Sequence, residues 1–277
     1  MWQPFRWMGH PGTFAIVVAY RNTDALEDAL KSLAGSCDAL VVDNGVDDEV
    51  RTVAEANRAQ YLTPGKNVGF AAAVNIGLRE RVQRDVLLLN PDARVTTDTL
   101  SVLSRALRSD PALGAVAPRV RGEDGVEQQV EWPIPSPREE WVKAFRLQRF
   151  LPPARTFLVG AVLLLSHEAL ETVGPFDERF FLYAEECDWQ LRAQRQGWKV
   201  RVVEDAVATH IGGGSSDLES RRLALFHQSA ELFALKWHGR RGWRSMRAAW
   251  RLGSALRLIV TFPDPKRRAR YLRQLRL

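Results

Sequence analysis

Three carboxylates crowd four positions in Glu185-Glu186-Cys187-Asp188. Like charges this close disfavour one another's ionisation unless a cation or a set of N–H donors lies beside them. Phe180, Phe181, Tyr183 and Trp189 flank the acids. Carboxylates among aromatics suit proton abstraction or the binding of sugar hydroxyls better than they suit solubility. The plainer alternative is the solvated, acid-rich first turn of a helix, whose dipole favours anions, and the residues alone leave both open. A second place is Asn90-Pro91-Asp92, which ends an apolar run. A carboxylate there could hold Mg²⁺ or Mn²⁺, hard cations that take oxygen ligands and share phosphates, or the tripeptide could simply be a type I turn. A third is His210, ahead of Gly212-Gly213-Gly214, either a ligand or an ordinary loop histidine.

Alternating strands and helices would position these groups. Phe14–Tyr20, Ala39–Asp43 and Val86–Asn90 are short β-branched or leucine-rich runs that read as buried strands, with Tyr61-Leu62 a shorter one. Helices are expected from Asp24, with Asp24 as N-cap and Glu27 as its capping-box partner, and over 49–58, 70–81 and 97–108. Further along, 115–118, 157–166 and 200–203 read as strands, and 167–173 and 186–196 as helices. Strand–helix alternation at this spacing predicts a mainly parallel sheet with helices on both faces, whose ligands bind at the carboxyl ends of the strands. Asp43-Asn44 and Asn90-Pro91-Asp92 fall at such ends. Neither a Walker loop nor Gly-x-Gly-x-x-Gly follows a strand. Between about 120 and 155 the pattern weakens around Pro133, Pro135, Pro137, Pro152 and Pro153, as in a binding loop.

Composition excludes several classes. With 45% apolar residues in 277, global disorder is ruled out. Two cysteines make neither a disulfide framework nor a four-cysteine zinc site. No apolar run approaches the roughly 20 residues that span a bilayer, and the first residues lack the apolar core of a signal peptide, so a cytoplasmic chain is expected. The net charge of +6 is unevenly spread. Residues 236–277 carry thirteen Lys and Arg against Asp264 alone, which leaves an acidic body and a basic end.

Taken in order, the motifs resemble the inverting GT-A glycosyltransferases, in the branch of bacterial rhamnosyl- and galactofuranosyltransferases. The matching stretches are Val17-Val-Ala-Tyr20-Arg-Asn, Val41-Val-Asp43-Asn44-Gly45, Lys66-Asn67-Val-Gly69-Phe70-Ala71 with Asn75, and Leu88-Leu-Asn90-Pro91-Asp92. Val159-Gly160-Ala161, Gly174-Pro-Phe176-Asp177-Glu178 through Asp188, Gly197-Trp198 and His210 complete the set. The resemblance implies a GT-A fold and transfer of a sugar, rhamnose first, from a dTDP- or UDP-linked donor to a glycan or polyprenyl-diphosphate-linked acceptor of the cell envelope. By the same resemblance Tyr20, Asp43, Asn67, Gly69, Asn90 and Gly160 line the nucleotide-sugar site, with Asp43 reading the base. Asp92 and His210 are the metal ligands for Mg²⁺ or Mn²⁺. Glu186, where most relatives have Asp, is the general base, with Glu185 its rival. Asp188 would orient a sugar hydroxyl and Trp189 stack on the sugar.

The expected organisation is an N-terminal arm over 1–13, a catalytic domain over 14–235 (nucleotide-sugar half 14–120, acceptor half 121–235) and a helical tail over 236–277. Trp237, Trp243 and Trp250 recur among the tail's arginines. The tail reads either as a helical cap packed on the body or as an element at an anionic membrane surface, with tryptophans at the interface. The second would place the chain at the inner face of the membrane. Two other readings are a nucleotide-sugar-binding protein without turnover and a nucleic-acid-binding protein using Lys266-Arg267-Arg268. The acidic body makes nucleic acid an unexpected partner. A homodimer is compatible with the sequence.

Overall fold

The computed structural model describes residues 12–20, 23–81, 83–212 and 219–260. Most of the expected arm, Lys266-Arg267-Arg268 and Gly213-Gly214 lie outside the described residues. The elements in chain order are β1 (Thr13–Ala19), α1 (Thr23–Leu33), β2 (Asp38–Asp43), α2 (Asp48–Ala56), β3 (Gln60–Leu62), α3 (Phe70–Leu78), β4 (Asp85–Leu89), β5 (Ala93–Arg94), α4 (Thr97–Ser109) and β6 (Leu113–Arg121). There follow β7 (Glu127–Gln128), β8 (Glu131–Pro133), α5 (Pro137–Ala144), β9 (Thr156–Leu158), β10 (Val162–Leu165), α6 (His167–Val173), α7 (Glu185–Arg195), β11 (Lys199–His210) and α8 (Glu219–Val260).

The described residues fall into two compact units. One lies within Met1–Trp132 and Phe157–Leu225, the other within Pro133–Thr156 and Phe226–Leu277. The second unit thus takes in α5 and begins earlier on α8 than the tail boundary expected at 236.

In the first unit, a sheet runs β3-β2-β1-β4-β10-β6-β11-β5, with β7 added beside β6. Successive residues of β1 point to opposite faces, as the pleat requires. Phe14, Ile16 and Val18 pack with Ala71 and Val74 of α3, Leu170 of α6 and Trp189 of α7. Ala15, Val17 and Ala19 pack with Leu26 of α1, Val50 of α2 and Leu103 of α4. Helices therefore cover both faces, and each large apolar side chain so buried contributes roughly 1.5–3 kcal/mol.

The sheet is mainly parallel, as expected, with antiparallel strands added. Parallel pairing joins β1 to β2 and β4, β2 to β3 and β6 to β11. An antiparallel strand arises from 157–166, which reads as one strand but breaks at Val159–Ala161. Its second half, β10, enters between β4 and β6 antiparallel to both. A continuous apolar run does not by itself reveal strand direction. Two boundaries also shift. Helix α3 ends at Leu78 rather than 81, and β11 extends over Lys199–His210 because its far end pairs with β5. Helix α1 starts at Thr23, so Asp24 sits inside its first turn.

The second unit is built by α5 against α8. Helix α8 is broken at Gly239, whose φ of 65° is non-helical and favours glycine. Trp141 donates its indole N–H to Ser245 Oγ (2.9 Å) and Trp250 to Glu140 Oε2 (2.7 Å). Arg257 reaches the Lys143 carbonyl at 3.0 Å. Trp243 meets Trp250 edge-on at 5.4 Å, and Trp237 packs on Phe233. The tryptophans proposed for a membrane interface are therefore half-buried in the unit's own packing. Among the described residues, no helix is long and apolar enough to cross a membrane.

Candidate active site

The carboxyl ends of β2 and β4, the start of α3, the loop before β10 and the start of α7 carry the chemistry. Asp43 closes β2 and is fully buried. Its Oδ1 accepts the N–H groups of Gly45 (2.8 Å) and Val46 (3.0 Å). Its Oδ2 accepts the Asp47 N–H (2.7 Å) and the Tyr61 hydroxyl (2.8 Å). Burial and this bond push the Tyr61 phenol up to about 12. With both oxygens engaged and the residue fully buried, the Asp43 carboxylate ties its own loop together.

Asn44 next to it ties that loop to the start of α3. Its amide donates to Asn67 Oδ1 (3.1 Å) and the Gly69 carbonyl (3.2 Å), and its Oδ1 accepts the Val68 N–H (2.9 Å). Asn67 Oδ1 also takes the Gly69 N–H at 3.0 Å. Gly69 has φ 88°, and a Cβ there would lie 2.6 Å from the Phe181 carbonyl oxygen. That same carbonyl accepts the Phe70 N–H at 2.7 Å. Only glycine permits both the angle and the approach. Tyr20 follows β1, half-buried, and the adjacent Ala19 carbonyl takes the Asn44 N–H at 2.8 Å.

The acids at α7 present the opposite situation. Tyr183 and Ala184 both adopt left-handed backbone (φ 71° and 70°), a conformation that costs a non-glycine residue on the order of 1 kcal/mol. Ala184 caps α7 without a side-chain bond. Glu185 is only 4% exposed, and burial followed by the charge of Glu186 raises its carboxyl well above the usual range. Burial also raises Glu186, opposed by hydrogen bonds from the backbone N–H groups of Glu186, Gly160 and Cys187. The Oε2 atom of each glutamate is buried without a hydrogen-bond partner. Such atoms cost stability, and they mark carboxyls left open for an incoming donor.

Glu186 is placed by the segment before β10. The Gln190 amide donates to the Leu158 carbonyl (2.7 Å) and accepts the Leu158 N–H (2.8 Å), so α7 holds the end of β9 as a neighbouring strand would. Two residues on, Gly160 lies against Glu186, and a Cβ there would sit 3.8 Å from its Cβ and Cγ. The Ala161 carbonyl accepts the Asn90 N–H at 2.9 Å. Asn90 at the β4 end and Glu186 at the α7 start thus hang on one short loop.

Asp188 and Trp189 do not face outward as expected. Asp188 is fully buried and takes the Arg192 guanidinium at 3.1 Å, which in turn holds the Val173 and Pro175 carbonyls at 2.7 Å each. Trp189 is fully buried, stacks on Phe176 and donates to the Gly174 carbonyl at 2.9 Å. Helical periodicity turns positions three and four past Glu185 into the core. Both residues are packed into the fold by these contacts.

Asp92 and His210 do meet. The β5–β11 pairing sets His210 opposite Ala93, and His210 Nε2 lies 3.2 Å from Asp92 Oδ1. Sequence reasoning missed Gln128 on β7, which orients this histidine. Its Nε2 donates to the His210 carbonyl (2.8 Å), so its Oε1 faces His210 Nδ1 (3.0 Å). That bond puts the proton on Nδ1 and leaves the Nε2 lone pair beside a carboxylate, an arrangement that a proton or a metal cation between them satisfies. The donor set of one carboxylate and one imidazole fits a divalent cation that completes its shell with phosphate oxygens. Among the described residues, no cluster of three or more His, Cys, Asp or Glu side chains forms a complete protein cage. No sequence signal marks Gln128, which lies where the strand pattern is weakest.

A sheet with helices on both faces, carrying acids at its carboxyl edge, is an α/β architecture with a candidate enzyme site. The chain belongs to Glycosyl transferase family 2, whose sequence pattern matches residues 14–174. It is 28% identical to an N-acetylglucosaminyl-diphospho-decaprenol L-rhamnosyltransferase of Mycobacterium tuberculosis, over 88% of this chain and 90% of that one. It is 24% identical to the dTDP-rhamnosyl transferase RfbF of Shigella flexneri, over 73% of this chain and 70% of that one. Both relatives are named as rhamnosyltransferases, in line with the branch that the motifs resemble. In fold it is similar to the mannosyltransferase PcManGT of Pyrobaculum calidifontis, solved with GDP-Man and Mn²⁺, with a TM-score of 0.57 at 16% identity over 97% of this chain and 87% of that one. It is likewise similar to glucosyl-3-phosphoglycerate synthase of M. tuberculosis, solved with Mn²⁺ and UDP, at a TM-score of 0.58 and 16% identity over 81% and 79% of the two chains. The GT-A architecture and the glycosyltransferase class are thus established.

Proposed function

We propose that this glycosyltransferase inverts the anomeric centre of a nucleotide-diphosphate sugar, rhamnose first, in transferring it to a hydroxyl of a glycan or polyprenyl-diphosphate-linked acceptor at the cytoplasmic face of the cell envelope. The observation that carries this reading is Glu186, a buried carboxyl with an unpartnered oxygen at the start of α7. Glu185 is the more deeply buried acid and is raised further by its neighbour's charge, which makes it the harder of the two to ionise. Glu186, steadied by three backbone N–H groups, is the one assigned to take the acceptor proton. As the acceptor oxygen bonds to the anomeric carbon, the bond from that carbon to the diphosphate breaks and the diphosphate leaves with the electron pair. No glycosyl-enzyme forms, and the configuration inverts.

Asp92 and His210 would hold Mg²⁺ or Mn²⁺, which when bound supplies positive charge for the leaving diphosphate. Asn67, Gly69, Asn90 and Gly160 form the loops against which the donor lies, and Asp43 acts by fixing the loop that carries Asn44. Release of nucleoside diphosphate from dTDP-rhamnose in the presence of Mg²⁺ and an acceptor tests the reading. Glu186→Gln is expected to lower turnover by about 10²–10⁴-fold without loss of fold. Equal turnover in the two proteins would remove Glu186 as the base.

A further inference from the structure

After α5 the chain turns through Phe145-Arg-Leu-Gln-Arg-Phe-Leu151 in the second unit. Every residue of this turn is exposed. Phe150 is 72% exposed and Phe145 51%, with Leu147 and Leu151 also among the exposed large apolar residues. The turn is ordered by its own backbone. The Leu147 N–H bonds the Val142 carbonyl at 2.9 Å, the Phe150 and Leu151 N–H groups bond the Leu147 carbonyl, and Arg146 is left-handed at φ 58°. Arg138 anchors its far end through the Pro152 carbonyl at 3.2 Å. The backbone therefore displays these apolar groups, Phe145 with one face stacked on Trp141 at 5.8 Å, and large apolar groups exposed together mark a binding surface.

The charge of the unit that carries the turn says what binds it. Among the described residues of this unit there are twelve Lys and Arg against Glu139, Glu140 and Glu231. Glu139 and Glu140 are buried and spent on Arg138, Lys143 and Trp250. Arg146 and Arg149, between the apolar residues, are exposed, as are Arg240, Arg241, Arg244 and Arg251 of α8. Two copies meeting at such a face would set like charges together. Phenylalanine and leucine interleaved with arginine match instead a layer with apolar depth and an anionic surface.

We infer that the 145–151 turn is a docking element for an anionic lipid bilayer, inserting Phe145 and Phe150 while the arginines meet the headgroups. The inference deepens the lipid-linked half of the proposed acceptor and rests on it, and it moves the membrane contact from the packed tryptophans to this turn. The test is flotation of the full-length protein with vesicles of phosphatidylcholine alone or with phosphatidylglycerol. Wild type is expected on the anionic vesicles and not on the neutral ones. Phe145→Ser/Phe150→Ser should weaken that binding by about tenfold or more, since each phenylalanine buries a large apolar area, and Phe150→Ser alone, which leaves the Phe145–Trp141 stack in place, should weaken it at an unchanged melting temperature. Wild type that fails to float, floats equally on both vesicles, or binds no better than the double variant would overturn the inference. So would a wild-type dimer that the double variant dissociates, because a second copy would then cover the turn. Nucleoside diphosphate release in vesicle-free solution stays at the wild-type level in the double variant, so loss of docking and loss of transfer are read separately.

Discussion

Asp43 and the Glu185–Glu186 pair are buried carboxyls at the same edge of one sheet, yet their surroundings are opposite. Asp43 receives four donors from its own loop and Tyr61. Each glutamate keeps one buried oxygen without a partner, follows two left-handed residues and is pushed toward its protonated form. A fully bonded buried charge holds structure, whereas an under-bonded one is retained at a cost in stability. In an enzyme that cost is expected where a substrate supplies the missing partner.

The contrast can be broken first at Asp43. Asp43→Ala orphans three backbone N–H groups and a hydroxyl, and denaturant unfolding should show a loss of about 3 kcal/mol or more. A loss of transfer with stability intact would return Asp43 to the nucleotide.

The glutamates predict the reverse sign. Their folded carboxyls hold protons to higher pH than in the unfolded chain. The stability they contribute is therefore fully present at low pH and falls as pH rises above the ordinary carboxylate range toward the raised folded values. Glu185→Gln removes one ionisation, so its unfolding free energy should decline less than that of wild type between pH 5 and pH 8, and it should be the more stable protein at the upper end. An unchanged slope would show that the pair titrates normally.

A smaller effect separates Gln128 from a plain packing residue. Gln128→Leu should weaken Mn²⁺ binding in the presence of nucleoside diphosphate by about tenfold, read by electron paramagnetic resonance, while Gln128→Glu, which keeps an acceptor toward Nδ1, recovers part of it. Equal loss in both variants would assign Gln128 to the fold alone. In the second unit Trp250→Phe removes one bond to Glu140 and should cost about 1–2 kcal/mol in unfolding. No change there would weaken the reading of the tryptophans as internal packing.

Much of this was readable in the chain. The apolar runs at 14–20, 39–43 and 86–90 placed β1, β2 and β4, because strands buried on both faces admit little else. The order of short motifs pointed to the glycosyltransferase family, and Glu185-Glu186 pointed to α7. Asp188 and Trp189 misled for a physical reason. A motif names neighbours in sequence, and whether the helix face shared by residues three and four apart meets solvent or the core is decided only by packing. The tryptophans of α8 left two readings open, since an amphipathic helix looks the same whether its apolar stripe meets α5 or a membrane.

What the sequence determined by itself was local and periodic: the strand and helix stretches, the acids and glycines that punctuate them, and the charge of the carboxyl-terminal region. Tertiary structure decided the rest. It reversed the direction of β10, which no apolar run encodes. It brought Gln128 to His210 across 82 positions and Gln190 to Leu158 across 32. It also sorted equal-looking carboxylates into those already satisfied and those left waiting, because hydrogen-bond satisfaction is a property of the folded surroundings and not of the residue.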